Sequence, residues 1–300
     1  MISDERNQVY HSGYVSIIGS PNVGKSTLLN SILGEKIAIV TPKPQTTRNK
    51  IMGIKTIPDA QIIFIDTPGI HRPKHKLGAT MVKTSIEALN EVDIILFMVE
   101  PHKPERGAAA IIDLFKKIQS PVFLLINKID TVKKAAILPI IEHYKTLYVF
   151  KEIIPVSALK QDGISLLLKT ICTYLPPGPR YYPDDLVTDQ LERFMVSEIV
   201  REKIMDITEE ELPYSVAVEI HKWNEREDGL ISIGCNIYVE REGQKAIIIG
   251  KRGEKLKSVG TAARIDIEKL LNAKVFLELW VKVKKNWRND NRLLMELGYK

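Results

Sequence analysis

Tyr14-Val15-Ser16-Ile17-Ile18-Gly19-Ser20-Pro21-Asn22-Val23-Gly24-Lys25-Ser26-Thr27-Leu28-Leu29 is the stretch on which the fold turns. Its first part is an apolar run, and beyond Thr27 the apolar residues recur at helical spacing, so the glycine-bearing middle lies between a strand and a helix. Glycines there allow backbone conformations denied to other residues, and successive N–H groups at a helix start converge on anionic oxygens. In this pattern Gly19, Ser20, Pro21, Asn22, Val23, Gly24 and Thr27 form a phosphate cradle. Lys25 reaches the outer phosphates and Ser26 offers a hydroxyl to Mg²⁺. A chance glycine turn is the bland alternative, and the flanking strand and helix weigh against it.

Four later segments extend the reading. Ile62 to Ile65 form an apolar strand that delivers Asp66, followed by Thr67, Pro68, Gly69 and Ile70. A carboxylate at Asp66 can orient a water on the metal, and the Gly69 N–H can meet a γ-phosphate. Between the two motifs lies Pro44-Gln45-Thr46-Thr47-Arg48, a polar loop in which a threonine hydroxyl could complete the Mg²⁺ shell only while the γ-phosphate is present. Pro121 to Ile126 form another apolar strand, ending in Asn127-Lys128-Ile129-Asp130. A carboxylate at Asp130 can accept from both the ring N–H and the exocyclic amine of guanine, whereas adenine has the opposite polarity at that edge, so the segment argues for GTP over ATP. Asn127 and Lys128 would tie this loop to the phosphate loop and cover the base. Ile153 to Val156 end in Ser157-Ala158-Leu159, small residues that let backbone N–H groups approach the guanine carbonyl.

Organisation along the chain agrees. Three hundred residues, 44% of them hydrophobic, suit two domains with a core each. Apolar strands near 14–19, 62–66, 93–99, 121–127 and 152–157 alternate with helix-like segments, which predicts a mostly parallel sheet with helices on both faces and an added edge strand from Lys50 to Ile57. Leu175-Pro176-Pro177-Gly178-Pro179 cannot continue a helix. The expected division is an α/β nucleotide-binding domain over 1–176, a linker over 177–184 and an α+β domain over 185–300. Cys172 and Cys235 lie far apart in sequence, so neither a disulfide framework nor a zinc cluster is expected and a reducing cytoplasm fits. No apolar leader opens the chain, and no stretch reaches the ~18 apolar residues of a membrane span.

Past the linker the pattern changes. A helix is predicted over Gln190 to Met205, strands over Tyr214 to Trp223 and Leu230 to Glu240, and a short strand over Gln244 to Ile249. Gly250-Lys251-Arg252-Gly253 follows, then a helix over Glu254 to Leu271 and a strand over Lys274 to Lys284. Residues 185–240 carry 5 Lys+Arg against 14 Asp+Glu, and residues 241–300 carry 15 against 7. Phosphate responds to this local field, because screening cuts interactions beyond ~8 Å at physiological salt. Trp280, Trp287 and Tyr299 stand among these cations and are expected to be core rather than base-stacking residues.

Taken together, the ordered segments and the Gly-Lys-Arg-Gly half resemble the Era family, bacterial GTPases with a type II KH domain that act on the small ribosomal subunit. The resemblance spans essentially the whole chain. It implies a P-loop GTPase domain followed by a KH domain, with Lys25, Thr47 and Gly69 in the hydrolytic machinery. Ser26, Asp66 and Thr47, rather than Thr46, would hold Mg²⁺. Ile249, Gly250, Lys251, Arg252 and Gly253, with Lys255, Lys257, Lys284, Lys285 and Arg288, would meet RNA. The implied partners are GTP and GDP, the 3′ region of small-subunit ribosomal RNA and the small subunit itself, approached by a cytoplasmic monomer that makes a weak peripheral contact with anionic membrane. Many GTPases carry Gln where this chain has Ile70, and an apolar side chain cannot hydrogen-bond the attacking water, so slow intrinsic turnover is expected. His71 reads as a loop surface residue, and Arg48 and Arg72 as solvated arginines rather than a catalytic finger. A GTPase acting on transfer RNA and an RNA-binding protein with negligible hydrolysis are the alternatives.

Overall fold

A computed structural model describes residues 9–102 and 106–299 of the chain. The opening residues read for an apolar leader lie outside them. The chain divides into two compact units, one made of Met1–Ala38, Thr47–Arg72 and Met81–Asp189, the other of Ile39–Thr46, Pro73–Thr80 and Gln190–Lys300.

In the first unit a six-stranded sheet has the order β2-β3-β1-β4-β5-β6, from β1 (His11–Gly19), β2 (Ile51–Ile57), β3 (Ala60–Asp66), β4 (Ile94–Val99), β5 (Val122–Ile126) and β6 (Glu152–Pro155). Only β2 runs antiparallel, against β3 at the edge. Strands β3, β4 and β5 are buried along their whole length, as strands covered on both faces must be, which is why they read as unbroken apolar runs. Ile95, Phe97 and Val99 of β4, with Val122, Leu124 and Ile126 of β5, pack against α3 (Arg106–Phe115) and α4 (Ile137–Lys145) through Ile111, Phe115, Ile140 and Tyr144. On the opposite face Phe123 meets Tyr174 of α5 (Ile164–Tyr174) edge-on at 5.1 Å. Helix α1 (Lys25–Leu33) lies against β1, β2 and β3, and α2 spans Lys76–Glu87.

The second unit builds a three-stranded sheet, β7-β8-β9, from β7 (Ala217–Glu225), β8 (Ile231–Val239) and β9 (Val275–Val283). Strands β7 and β8 pair antiparallel, β8 and β9 parallel. Every second residue of β8, from Ile233 through Cys235 and Ile237 to Val239, faces a core shared with α6 (Glu192–Ile207) and α8 (Glu254–Leu271). Residues 39–46 belong to this unit through α6: the Val40 N–H donates to Glu202 Oε1 at 3.0 Å, and the buried Arg201 guanidinium links Glu198 to the Thr46 carbonyl.

One expected strand is a helix. Residues 244–249 lie in α7 (Glu242–Ile249), so the Gly-Lys-Arg-Gly loop joins two helices. Three consecutive isoleucines suggested a strand, but Gln244 Oε1 accepts from the N–H groups of Glu240 and Arg241 at 2.8 and 3.1 Å and starts a helical turn. Of the three isoleucines only Ile248 is fully buried, while Ile247 is 49% exposed. A short helix, α9 (Asn291–Glu296), is capped by the Asp290 carboxylate.

Candidate functional site

The carboxyl ends of β1 and β3 deliver two loops to one place. Helix α1 begins at Gly24, whose φ of 100° has no side-chain cap, so the first N–H groups of the helix are left for a ligand. A Cβ at Gly24 would lie 2.3 Å from Asn127 Nδ2, and one at Gly69 would lie 2.7 Å from the Pro21 backbone. Both loops therefore need glycine for close approach, and Gly24 needs it for its left-handed conformation as well. The Ile70 N–H donates to the Gly19 carbonyl at 3.2 Å and fixes the second loop against the first.

Three oxygens converge beside this cradle. Ser26 Oγ donates to Asp66 Oδ2 at 2.6 Å and lies 2.8 Å from Thr47 Oγ1, which is 3.3 Å from the same carboxylate oxygen. Asp66 is fully buried, yet its Oδ1 has no hydrogen-bond partner among the described residues. A buried carboxylate oxygen without a partner costs free energy unless something fills the position. Two hydroxyls and that carboxylate make a hard oxygen donor set that fits Mg²⁺, which binds through one or two carboxylates plus substrate phosphates. Thr46 instead donates to the Lys43 carbonyl at 2.6 Å. Among the described residues no cluster of three or more His, Cys, Asp or Glu side chains could hold a different metal.

Lys25 is buried with its ammonium 3.1 Å from the Ser20 carbonyl and 3.4 Å from that of Gly19. Burial lowers its pKa to about 8, against the pull of Asp66, and burial raises that of Asp66 against the pull of Lys25. Both shifts mark charges placed where only a strong counter-ion would repay their desolvation.

The base end rests on Asn127. Its Nδ2 donates to the Val23 carbonyl at 2.8 Å, its Oδ1 accepts from the Ala158 N–H at 2.9 Å, and the side chain thereby joins the phosphate loop, β5 and the loop after β6. Asp130 is exposed and accepts from Ser157 Oγ at 2.5 Å, which orients the carboxylate, while Leu159 is 72% exposed at the rim. Lys128 has φ of 61° and its ammonium pairs with Glu100. Glu100 was not anticipated; its position just beyond the end of β4 was the available signal.

Of the residues flanking the nucleotide loops, Arg48 is buried rather than solvated, and Arg72 is exposed. Ile70 is half-buried against the core below α3, with His71 Nδ1 2.8 Å from the Gly69 carbonyl.

In the second unit Gly253 starts α8 with φ of 79° and no side-chain cap, and Lys251, Arg252, Lys255 and Lys257 are exposed around it. Arg252 itself takes φ of 52°, which costs a side-chain-bearing residue about 1–2 kcal/mol. A cavity of about 570 Å³ opens beside this turn, lined by Gly253, Leu256, Lys257, Arg264, Phe276 and Leu279. The residues of its apolar wall were not legible in the sequence, because only α8 lying beside β9 brings them together. Ile249 is half-buried and Lys285 exposed. Arg288 is committed to Glu240 at 2.6 Å, and the Lys284 ammonium sits 4.3 Å from the Tyr238 ring centroid. Trp287 is fully buried, its Nε1 donating to the Ser215 carbonyl at 2.9 Å, and Tyr299 packs against it; Trp280 is 57% exposed.

Comparison with known proteins places both units. A family model described as a 50S ribosome-binding GTPase matches residues 14–128, and a KH domain model matches 211–288. GTPase Era of Geobacter metallireducens is 55% identical over 97% of this chain and 98% of its own length. GTPase Era of Ruminiclostridium cellulolyticum is 53% identical over the same shares. Among solved structures, Era in complex with MgGDPNP and nucleotides 1506–1542 of 16S ribosomal RNA superposes with a TM-score of 0.94 at 43% identity, covering 97% of this chain and 99% of that one. An Aquifex aeolicus Era variant bound to GDP·AlF4⁻ gives 0.92 at 43% identity, covering 96% and 99%.

Proposed function

The chain belongs to the Era family of GTPases, and on that premise we propose that it is a GTP-binding and GTP-hydrolysing switch whose KH domain binds the 3′ region of small-subunit ribosomal RNA and assists small-subunit assembly. The observation that carries the reading is the corner of Ser26, Thr47 and Asp66 with its partnerless Oδ1, set beside a buried ammonium and an uncapped helix start. A triphosphate and a divalent cation answer each of these at once.

Ser26, Thr47 and Asp66 would hold Mg²⁺, which when bound neutralises charge developing on the β- and γ-phosphate oxygens. The N–H groups from Gly24 to Thr27 bind the phosphates and Lys25 pairs with them, recovering the desolvation of its buried ammonium. Asp130 reads the guanine edge, held by Ser157, and Asn127 keeps base loop and phosphate loop in register. The Gly69 N–H meets the γ-phosphate. Ile70 gives the attacking water no hydrogen-bonding partner, which supports slow intrinsic turnover, and loss of the γ-phosphate would release the Thr47 and Gly69 loops. Thr47 is followed backwards in the chain by Thr46, whose carbonyl the KH unit's Arg201 holds, and this connection supports nucleotide-dependent RNA binding. Lys251, Arg252, Lys255, Lys257 and Lys285 supply the phosphate contacts of the RNA site. The cytoplasmic location and the weak contact with anionic lipid are part of the proposal; what supports the latter is the basic carboxyl-terminal segment, and no described helix is long and apolar enough to cross a membrane.

Calorimetry with Mg·GTP and Mg·ATP tests the nucleotide half: GTP should bind and ATP should not, and Asp130→Asn should weaken GTP by at least tenfold while favouring xanthosine triphosphate. Equal affinity for GTP and ATP would refute it. RNA affinity measured with a GTP analogue and with GDP tests the switch, which equal values would remove.

A further inference from the structure

Strand β9 presents two unlike faces. Leu277, Leu279, Val281 and Val283 pack on the core of the second unit, so by strand alternation Phe276, Glu278, Trp280 and Lys282 share the opposite face. On that face Phe276 is 49% and Trp280 57% exposed. Across β8 their register partners are Ser232, Gly234, Asn236 and Tyr238, so nothing larger than an asparagine stands opposite either ring. Glu278, the one acid of the strand, is paired with Lys222 at 3.3 Å, and Lys282 is exposed two residues beyond Trp280. Among the described residues no strand lies outside β9 in the sheet order.

Large aromatic rings left open beside cations, on a segment whose other aromatics are buried, call for an occupant with flat faces and negative charge. The face meets the groove at Gly253 through Phe276, which lines that cavity together with Leu277 and Leu279 from the core-packed side of β9, and Trp280 stands four residues further along the strand on the same face as Phe276. Residues four apart on a strand are separated by roughly 13 Å, so the two rings can each take a different base. We propose that Phe276 and Trp280 form a stacking platform on the outer sheet face, on which single-stranded RNA leaving the Gly250–Gly253 groove lays its next bases. The inference rests on the reading of that groove as an RNA site. Stacking on aromatic rings tolerates any base, so the platform adds affinity and length preference without sequence reading.

The test uses the full chain and single-stranded RNA of two lengths: a tetranucleotide, which fills the groove, and the same sequence extended to roughly eight nucleotides. The longer RNA should bind more tightly to the unaltered chain. Trp280→Ala should weaken the longer RNA about tenfold, the change that ~1.4 kcal/mol of lost stacking produces, and leave the tetranucleotide affinity as it was. Trp280→Phe should restore most of the gain. Equal affinity of both lengths for the unaltered chain, equal weakening of both by Trp280→Ala, or no change in either would overturn the platform. So would a sedimentation shift on Trp280→Ala with RNA binding intact, since the face would then serve a second copy of the chain. A chain that fails to bind even the tetranucleotide sinks the groove reading as well, whereas tetranucleotide binding lost in Gly253→Asp keeps the groove and leaves the platform to the length comparison.

Discussion

The two glycine loops of this protein begin their helices in the same way and differ in almost everything around them. Gly24 and Gly253 are both left-handed N-cap residues without a side-chain cap. Around Gly24 the space is closed: an added Cβ would lie 2.3 Å from Asn127, and the lysine that follows is buried. Around Gly253 an added Cβ would meet nothing within 4 Å, and the neighbouring cations are in solvent. One loop has its charge and dipoles fixed in place, where they act at low dielectric; the other carries its charges at the surface, where salt screens them. Under the proposed function, the first construction suits a small ligand gripped at every atom and the second a long polyanion contacted along one side.

The contrast can be broken in several places. The largest effect is expected for Lys25→Ala, which removes the buried ammonium: phosphate release from GTP should fall on the order of 10²–10³-fold, with RNA affinity in the nucleotide-free protein unchanged. Gly24→Ala combines a clash with an unfavourable φ and should destabilise the first unit by more than ~2 kcal/mol, whereas Gly253→Ala meets only the conformational cost and should lose ~1 kcal/mol. Thermal denaturation of the two variants measures the difference, and equal losses would erase the distinction drawn here. Replacing Lys251 and Arg252 together by Ala should lower the slope of log affinity for RNA against log salt by about 1.4 without moving GTP affinity. Arg252→Gly should relieve the left-handed strain and raise stability by about 1 kcal/mol while weakening RNA, a sign that the strain is retained for contact.

The smallest effect concerns acid. Burial raises the Glu219 pKa, but hydrogen bonds from Tyr238 at 2.5 Å and Asn236 at 3.3 Å, with the Lys284 charge, outweigh it and leave the group below its ordinary value. A folded-state pKa below the unfolded one gives stability that is complete above the unfolded pKa and is lost as pH falls through the folded one. Melting followed from neutral to acid should show a loss that Glu219→Gln reduces, and an unchanged acid profile in that variant would show the network to be inert.

Much of this was legible in the residues. Strands β1 and β3 to β5 announced themselves as apolar runs ending in chemistry-bearing loops, because a strand covered on both faces has to be apolar throughout. The oxygens of Ser26 and Asp66 could be placed beside one another for the same reason: each follows a strand end on one rim of a parallel sheet. Residues 244–249 were misread because periodicity cannot separate a short apolar strand from a short helix, and the deciding contact is a single glutamine turning back on the preceding backbone. The burial of Trp287 and the exposure of Trp280 were equally hidden, since both are aromatics among cations and only their packing differs.

What the sequence determined by itself is the set of local conformations and donor types: glycines where the backbone must turn or be approached, hydroxyls and a carboxylate in the right order, an acid just past the end of an apolar strand. Tertiary structure alone decided which of those groups face one another. It set Thr47 rather than Thr46 against Asp66, bound Arg288 to Glu240, built a groove from α8 and β9, and left two rings of β9 open. The physical reason is one of range: backbone preference and side-chain chemistry act over a few residues and are written in order, whereas burial and partnership depend on segments far apart in the chain that meet only when the core closes.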